Sequence, residues 1–197
     1  LGVIKYFLDR ADSILIGGAM AYTFLKVKGI KVGKSLVEKQ MLDEAAFILN
    51  RAKDHNTEIL LPLDVICSKS TNDISCISMK DINDIGDNEM GVDIGEKTID
   101  YFSQVITASD SIIWNGPMGI FEIPSFAIGT KKIAKNIAEH TKKKSIDSII
   151  GGGDTASAII NLNMQSEFTH VSTGGGASLE LLSGKKLALI KSWENYE

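Results

Sequence analysis

Ile149-Ile150-Gly151-Gly152-Gly153-Asp154-Thr155-Ala156-Ser157-Ala158 runs from a β-type apolar pair through three glycines into helix-forming residues. A strand that ends in glycines and restarts as a helix leaves the first backbone N–H groups of that helix unpaired, with the positive end of the helix dipole behind them. Such a loop takes up anions, phosphate above all. Glycine suits it because a residue without Cβ lets the anion reach the N–H groups and tolerates positive φ. Asp154 and Thr155 fall in the N-cap region, where each can cap the helix or face a bound metal. The plainer alternative is a tight strand-to-helix turn with a capping Asp.

The pattern recurs. Ser13-Ile14-Leu15-Ile16 leads into Gly17-Gly18-Ala19, Ser111-Ile112-Ile113-Trp114 into Asn115-Gly116-Pro117-Met118-Gly119, and Thr169-His170-Val171-Ser172 into Thr173-Gly174-Gly175-Gly176-Ala177-Ser178. In a parallel sheet with helical crossovers the carboxyl ends of the strands share one edge, so these loops are expected to gather around one crevice. Phosphoryl transfer needs positioning, N–H donors, a metal and cationic charge around the moving group. Asp154 is a candidate Mg²⁺ ligand, since that ion takes one or two carboxylates together with substrate phosphates. Glu122 can accept hydrogen bonds from ribose hydroxyls; the alternative is an exposed loop acid. No glycine loop carries Lys or Arg at its tip, so the cationic part is missing.

Two simpler phosphate motifs fail. Residues 29–35 resemble a P-loop but have three residues between the glycines where four are needed, and a helix precedes them. Gly151, Gly153 and Ala156 fit a dinucleotide fingerprint, yet no carboxylate follows about 20 positions on, where the ribose would be held; residues 169–173 offer His170 instead.

Apolar spacing supplies the elements that position these loops. Helices are expected over residues 1–11, 19–28, 35–53, 96–107, 127–142, 155–162 and 177–182, and strands over 13–16, 58–61, 111–114, 146–150 and 169–172. Ser35 and Glu38 read as a capping box opening the third helix. Residues 64–66 read as continuing the sheet edge, 68–88 as a surface hairpin or excursion, and 90–95 as a tight glycine-flanked turn. Strands alternating with helices imply an α/β fold, a doubly wound three-layer α/β/α arrangement on a mainly parallel, Rossmann-like sheet.

At 197 residues and 44% hydrophobic content the chain suffices for one well-cored domain. A net charge of −4 gives no electrostatic footprint for nucleic acid, and Lys142-Lys143-Lys144 reads as the solvated end of a helix. Two cysteines, Cys67 and Cys76, suit a reducing compartment. No apolar run approaches the ~20 residues that span a bilayer, and no signal peptide is visible. A soluble, cytoplasmic protein is the expectation. Leu1 opens on a helical pattern already in progress, so the chain reads as cut from a longer one.

Together, the segments 17–26, 114–122, 151–155 and 172–180 closely resemble the C-terminal half of phosphoglycerate kinase, in the right order and over nearly the whole chain. The resemblance implies phosphoryl transfer between 1,3-bisphosphoglycerate and Mg-ADP, giving 3-phosphoglycerate and Mg-ATP in glycolysis. It also implies a hinged, two-domain monomer. It assigns Gly17, Gly18 and Met90-Gly91-Val92 to the adenine pocket, Asn115 to the phosphate chain, Glu122 to the ribose and Asp154 to the metal. Gly152, Gly153 and Thr155 fall along the nucleotide phosphates, and Thr173, Gly174, Gly175 and Gly176 face the transferring phosphoryl group. Ala19 stands where many relatives have a third glycine. A lysine that relatives carry would fall immediately before Leu1. Residues 1–197 are thus expected to form the nucleotide-binding domain, without the N-terminal domain that holds the phosphoglycerate, and to bind adenine nucleotide without turnover. The rival readings are a non-catalytic nucleotide-binding module and a dinucleotide oxidoreductase domain.

Overall fold

The computed structural model of the protein describes residues 1–72 and 76–175. The expected helix 177–182, the tail after it and Gly176 lie outside these residues. In chain order the elements are α1 (Gly2–Phe7), β1 (Ser13–Leu15), α2 (Gly18–Val27), α3 (Leu42–Asp54), β2 (Glu58–Leu60), β3 (Asp64–Ser68), β4 (Ser78–Asp81) and β5 (Met90–Ile94). Then come α4 (Glu96–Ala108), β6 (Ser111–Asn115), α5 (Ile128–Lys144), β7 (Asp147–Gly151), α6 (Gly153–Asn161) and β8 (His170–Val171).

The helices form where apolar residues recur at helical spacing. Ala45, Ile48 and Ala52 are the buried stripe of α3, whose first turn carries Asp43 and Glu44 and whose last carries Arg51 and Lys53, each sign placed to suit the helix dipole. Ile99, Phe102 and Ile106 do the same for α4. Lys142, Lys143 and Lys144 close α5 in the expected way, and the chain leaves it through Ser145 at φ 52°.

Strands β1 and β2 pair in parallel, as do β6, β7 and β8 in that order, while β3 lies between β4 and β5 in an antiparallel sheet. The parallel pairs are joined by helical crossovers, α2 and α3 between β1 and β2, α5 between β6 and β7, and α6 between β7 and β8. Alternate residues of the first strands serve different layers. Ile14, Ile16, Ile59 and Leu61 pack into a core with Phe24, Leu25 and Ile48, whereas Leu15 and Leu60 pack into a second core with Phe102, Trp114, Ile133 and Ile150. A period of two feeding two cores is what a sheet with helices on both faces requires. The doubly wound α/β expectation holds.

Three local expectations do not. Residues 90–95 form strand β5 and its end rather than a turn, because Gly91 and Asp93 pair with β3. Residues 64–66 do not continue an edge but lie in β3, the middle strand of the antiparallel sheet, whereas the hairpin reading of 68–88 holds in part, β4 pairing antiparallel with β3. Ser35 opens no helix: its Oγ accepts the Gly91 N–H at 2.9 Å, and α3 begins at Leu42 after a 3-10 turn over Lys39–Met41.

Candidate functional site

The glycine loops are bonded to one another. Gly18 N–H donates to Met118 O at 3.2 Å, tying the start of α2 to the loop after β6. That loop is tied to the start of α6, with Gly116 N–H donating to the fully buried Thr155 hydroxyl at 2.6 Å. Ser172 N–H donates to Ile150 O at 2.8 Å, setting the loop after β8 beside β7. The loops after β1, β6, β7 and β8 thus run side by side along the carboxyl edge of the parallel strands. Ile120 N–H donates to Val92 O at 2.9 Å, which adds the Gly91–Val92 stretch of β5 to the same cluster.

At Gly18 and Gly152 backbone conformation and close packing together demand glycine. Gly18 has φ 60°, with a Cβ there falling 2.6 Å from Pro117 O. Gly152 has φ 84° and is buried, with its Cβ position 2.3 Å from Asn115 Oδ1. Both are left-handed conformations that side chains resist. Close packing between loops therefore selects these glycines as well as ligand access does. In front of Gly153, by contrast, the space is open to 4 Å.

Helix starts divide into two kinds. Asp64 reaches from β3 to close the start of α4, its two oxygens accepting the Lys97 and Thr98 N–H groups at 3.1 and 2.8 Å. Asp93 on β5 closes α5, its Oδ2 accepting Gly129 N–H at 2.7 Å. The helices α2 and α6 instead begin on Gly17 and Gly152 with no side-chain cap. A carboxylate already occupies the positive end of α4 and of α5, whereas no side chain caps α6 or α2 at the loop edge, the first N–H of α2 being held by Met118 O alone.

Asp154 does not cap its helix. Its carboxylate is exposed in the first turn of α6 and has no hydrogen-bond or ion-pair partner among the described residues. Glu122 is likewise exposed and without such a partner there. Asn115 ends β6 beside Gly151, and Trp114 Nε1 donates to Gly116 O at 2.7 Å, bracing the turn that follows. Thr173 and Gly174 are exposed beyond β8. Gly91 lies against the buried Tyr22, whose hydroxyl would be 1.7 Å from a Cβ there.

Burial shifts several groups here. Asp93 is pushed up to about 7, desolvation outweighing the N–H groups of Gly129, Ile94 and Ile128 that face it. Tyr22 is raised by burial first and then by the charges of Cys67 and Asp93. Cys67 is pushed up to about 11, chiefly by burial. Sequence reasoning missed Asp64, Asp93 and the Ser35 tie. The available signal was an acid inside an apolar strand shortly before a helix or glycine, in 64–66 and 91–95.

Fold and loops together define a doubly wound α/β protein with a glycine-lined edge where two helix N-termini stand uncapped. The family model for phosphoglycerate kinase matches residues 1–185, and the chain belongs to that family. It is 51% identical over 187 residues to the phosphoglycerate kinase of Dictyoglomus turgidum, covering 95% of this chain and 46% of that protein. The Thermosipho africanus phosphoglycerate kinase is 50% identical over 198 residues, covering 99% of this chain and 48% of the relative. Among solved structures, phosphoglycerate kinase from Coxiella burnetii superposes with a TM-score of 0.90 at 37% identity, over 96% of this chain and 48% of that one. The chain spans about half the length of the curated relatives it matches.

Proposed function

We propose that this chain is the nucleotide-binding half of a phosphoglycerate kinase, taking Mg-ADP or Mg-ATP at the glycine-lined edge. The observation that carries the proposal is the pair of uncapped, glycine-opened helices α2 and α6, bridged by one loop, in a chain of this family. In this reading adenine lies against Gly17, Gly18, Gly91 and Val92, and Glu122 accepts from the ribose hydroxyls. Asn115, Gly152, Gly153 and Thr155 line the phosphates, Thr155 through its backbone because its hydroxyl is engaged by Gly116. Thr173, Gly174, Gly175 and Gly176 face the phosphoryl group in transit. No three His, Cys, Asp or Glu side chains converge among the described residues. That suits Mg²⁺, which takes phosphate and water oxygens beside a single carboxylate, here Asp154. When bound, the ion offsets phosphate charge; the chain's own part is to orient the nucleotide with fixed N–H donors.

The second substrate, 1,3-bisphosphoglycerate or 3-phosphoglycerate, belongs in this reading to the other half of a two-domain kinase, which works as a cytoplasmic monomer. No helix among the described residues is long and apolar enough to cross a membrane. Calorimetry of ADP with and without Mg²⁺ tests the nucleotide assignment. Asp154→Ala is expected to weaken Mg-ADP binding about tenfold or more, the loss of roughly one charge-assisted contact, while leaving metal-free ADP binding within about twofold. Equal losses in the two titrations would remove Asp154 from the metal.

A further inference from the structure

Asp93 follows Val92 on β5 and is 2% exposed. Its Oδ2 accepts Gly129 N–H at 2.7 Å in the first turn of α5, and its Oδ1 accepts Ile94 N–H at 2.9 Å. The carboxylate is wedged between two glycines: a Cβ on Gly119 would lie 2.5 Å from Oδ1 and 2.3 Å from Phe126 O, and one on Gly129 2.4 Å from Oδ1. Around this post the 116–127 loop is held by bonds of its own, besides the Gly116–Thr155 tie. Ile120 N–H meets Val92 O, Met118 N–H meets the Thr130 hydroxyl at 3.0 Å, and Met118 O receives Gly18 N–H. None of the ion pairs among the described residues involves Asp93. Burying a carboxylate without a cation is costly, and a neutral Ser or Asn would cap α5 without that cost. Here Oδ2 crosses from strand to helix at Gly129, while Oδ1 accepts from Ile94, the next residue of the same strand, and packs against Gly119 of the loop.

The geometry points to Asp93 as a positioning residue for the nucleotide: it fixes the 116–127 loop between β5 and α5, and thereby sets Glu122 and the Met118–Gly18 tie. This inference rests on the nucleotide reading above. Asp64 is the internal control, a buried carboxylate that closes α4 in the same manner and packs on Gly95, away from the 116–127 loop.

The test compares Asp93→Asn, Asp64→Asn, Gly119→Ala and Glu122→Ala in the 197-residue chain, with ADP affinity from calorimetry and Tm from thermal unfolding. Asp93→Asn is expected to lower ADP affinity about tenfold, since the amide turns a donor toward one of two N–H groups and frees one end of the loop. Asp64→Asn, at a similar loss of Tm, is expected to hold ADP within about twofold of wild type. The penalty of Asp93→Asn should shrink in the Glu122→Ala background, because the two act through one loop. Gly119→Ala presses on both Asp93 Oδ1 and Phe126 O from the loop side and should weaken ADP as well, which keeps the test open if Asp93→Asn fails to fold. Normal ADP affinity in Asp93→Asn, or in Gly119→Ala where the former does not fold, would overturn the inference. So would equal affinity losses in the Asp93 and Asp64 variants. A wild-type chain that binds no ADP at all would overturn the nucleotide reading itself, an outcome distinct from both.

Discussion

Asp93 buries a carboxyl group where charge is expensive, and the pH dependence of stability should show it. Its folded value of about 7 lies above the ordinary carboxylate value of 3.8, so between these limits the native state holds a proton that the unfolded chain releases. Such a group adds stability that is full below the unfolded value and is lost as pH rises through about 7. The Tm advantage of wild type over Asp93→Asn is therefore expected to be largest near pH 4 and to shrink toward pH 8. An advantage that grows with pH would mean that the N–H groups of Gly129, Ile94 and Ile128 outweigh desolvation. In the sequence the Asp93 and Asp64 caps left only an acid inside an apolar strand shortly before a helix or glycine, with nothing to say which helix it closes. Asp93 and Asp64 close helices whose first turns lie 36 and 34 residues further on, and spacing rules that work within a few residues do not see such caps. Ser35 misled for the same reason. With Glu38 it has the spacing of a local capping box, but its hydroxyl serves Gly91, 56 residues away.

At the scale of elements, the strand-to-helix loops were legible because everything that makes them is local: a β-type run, glycines, then a helical stripe. The 90–95 segment was not, since glycines that pack under Tyr22 and around Asp64 look in sequence like the glycines of a turn. The α6 loop allows backbone strain and ligand access to be separated. Gly152→Val forces a β-branched residue to φ 84° with its Cβ against Asn115 Oδ1; it should cost ~1–3 kcal/mol of stability and abolish ADP binding. Gly153→Ala meets nothing within 4 Å and has no positive φ, so its Tm should stay near wild type while the methyl group crowds the first N–H groups of α6 and weakens ADP. Thermal unfolding alongside ADP titration reads both. A Gly152→Val chain that folds and binds ADP normally would move the site away from this loop.

For the whole molecule, what the chain contains sets what it can catalyse. The glycine loops carry no Lys or Arg at their tips, and cations that stabilise a moving phosphoryl group are worth ~10³–10⁵ in rate. Among the described residues of the proposed site none is basic, so no gain from holding a phosphoglycerate beside the nucleotide, up to ~7–11 kcal/mol, is expected from them. A coupled assay on the 197-residue chain is expected to show no turnover. Activity should return when the other half of a phosphoglycerate kinase is supplied in the same polypeptide. Turnover comparable to an intact kinase would point to an overlooked cation, with Lys26 and Lys28 the first to examine. The ties between the glycine loops carry a consequence for how the chain folds. Gly18 meets Met118, and Gly116 meets Thr155 39 residues on. Each tie closes a long stretch of chain, and closures of that length come late because their entropy must be met before the contact contributes. Local hairpins and helices can form early without them. The edge where nucleotide is proposed to bind is thus expected among the last parts of the molecule to form, and a partly folded chain is expected to lack a site with which to capture nucleotide.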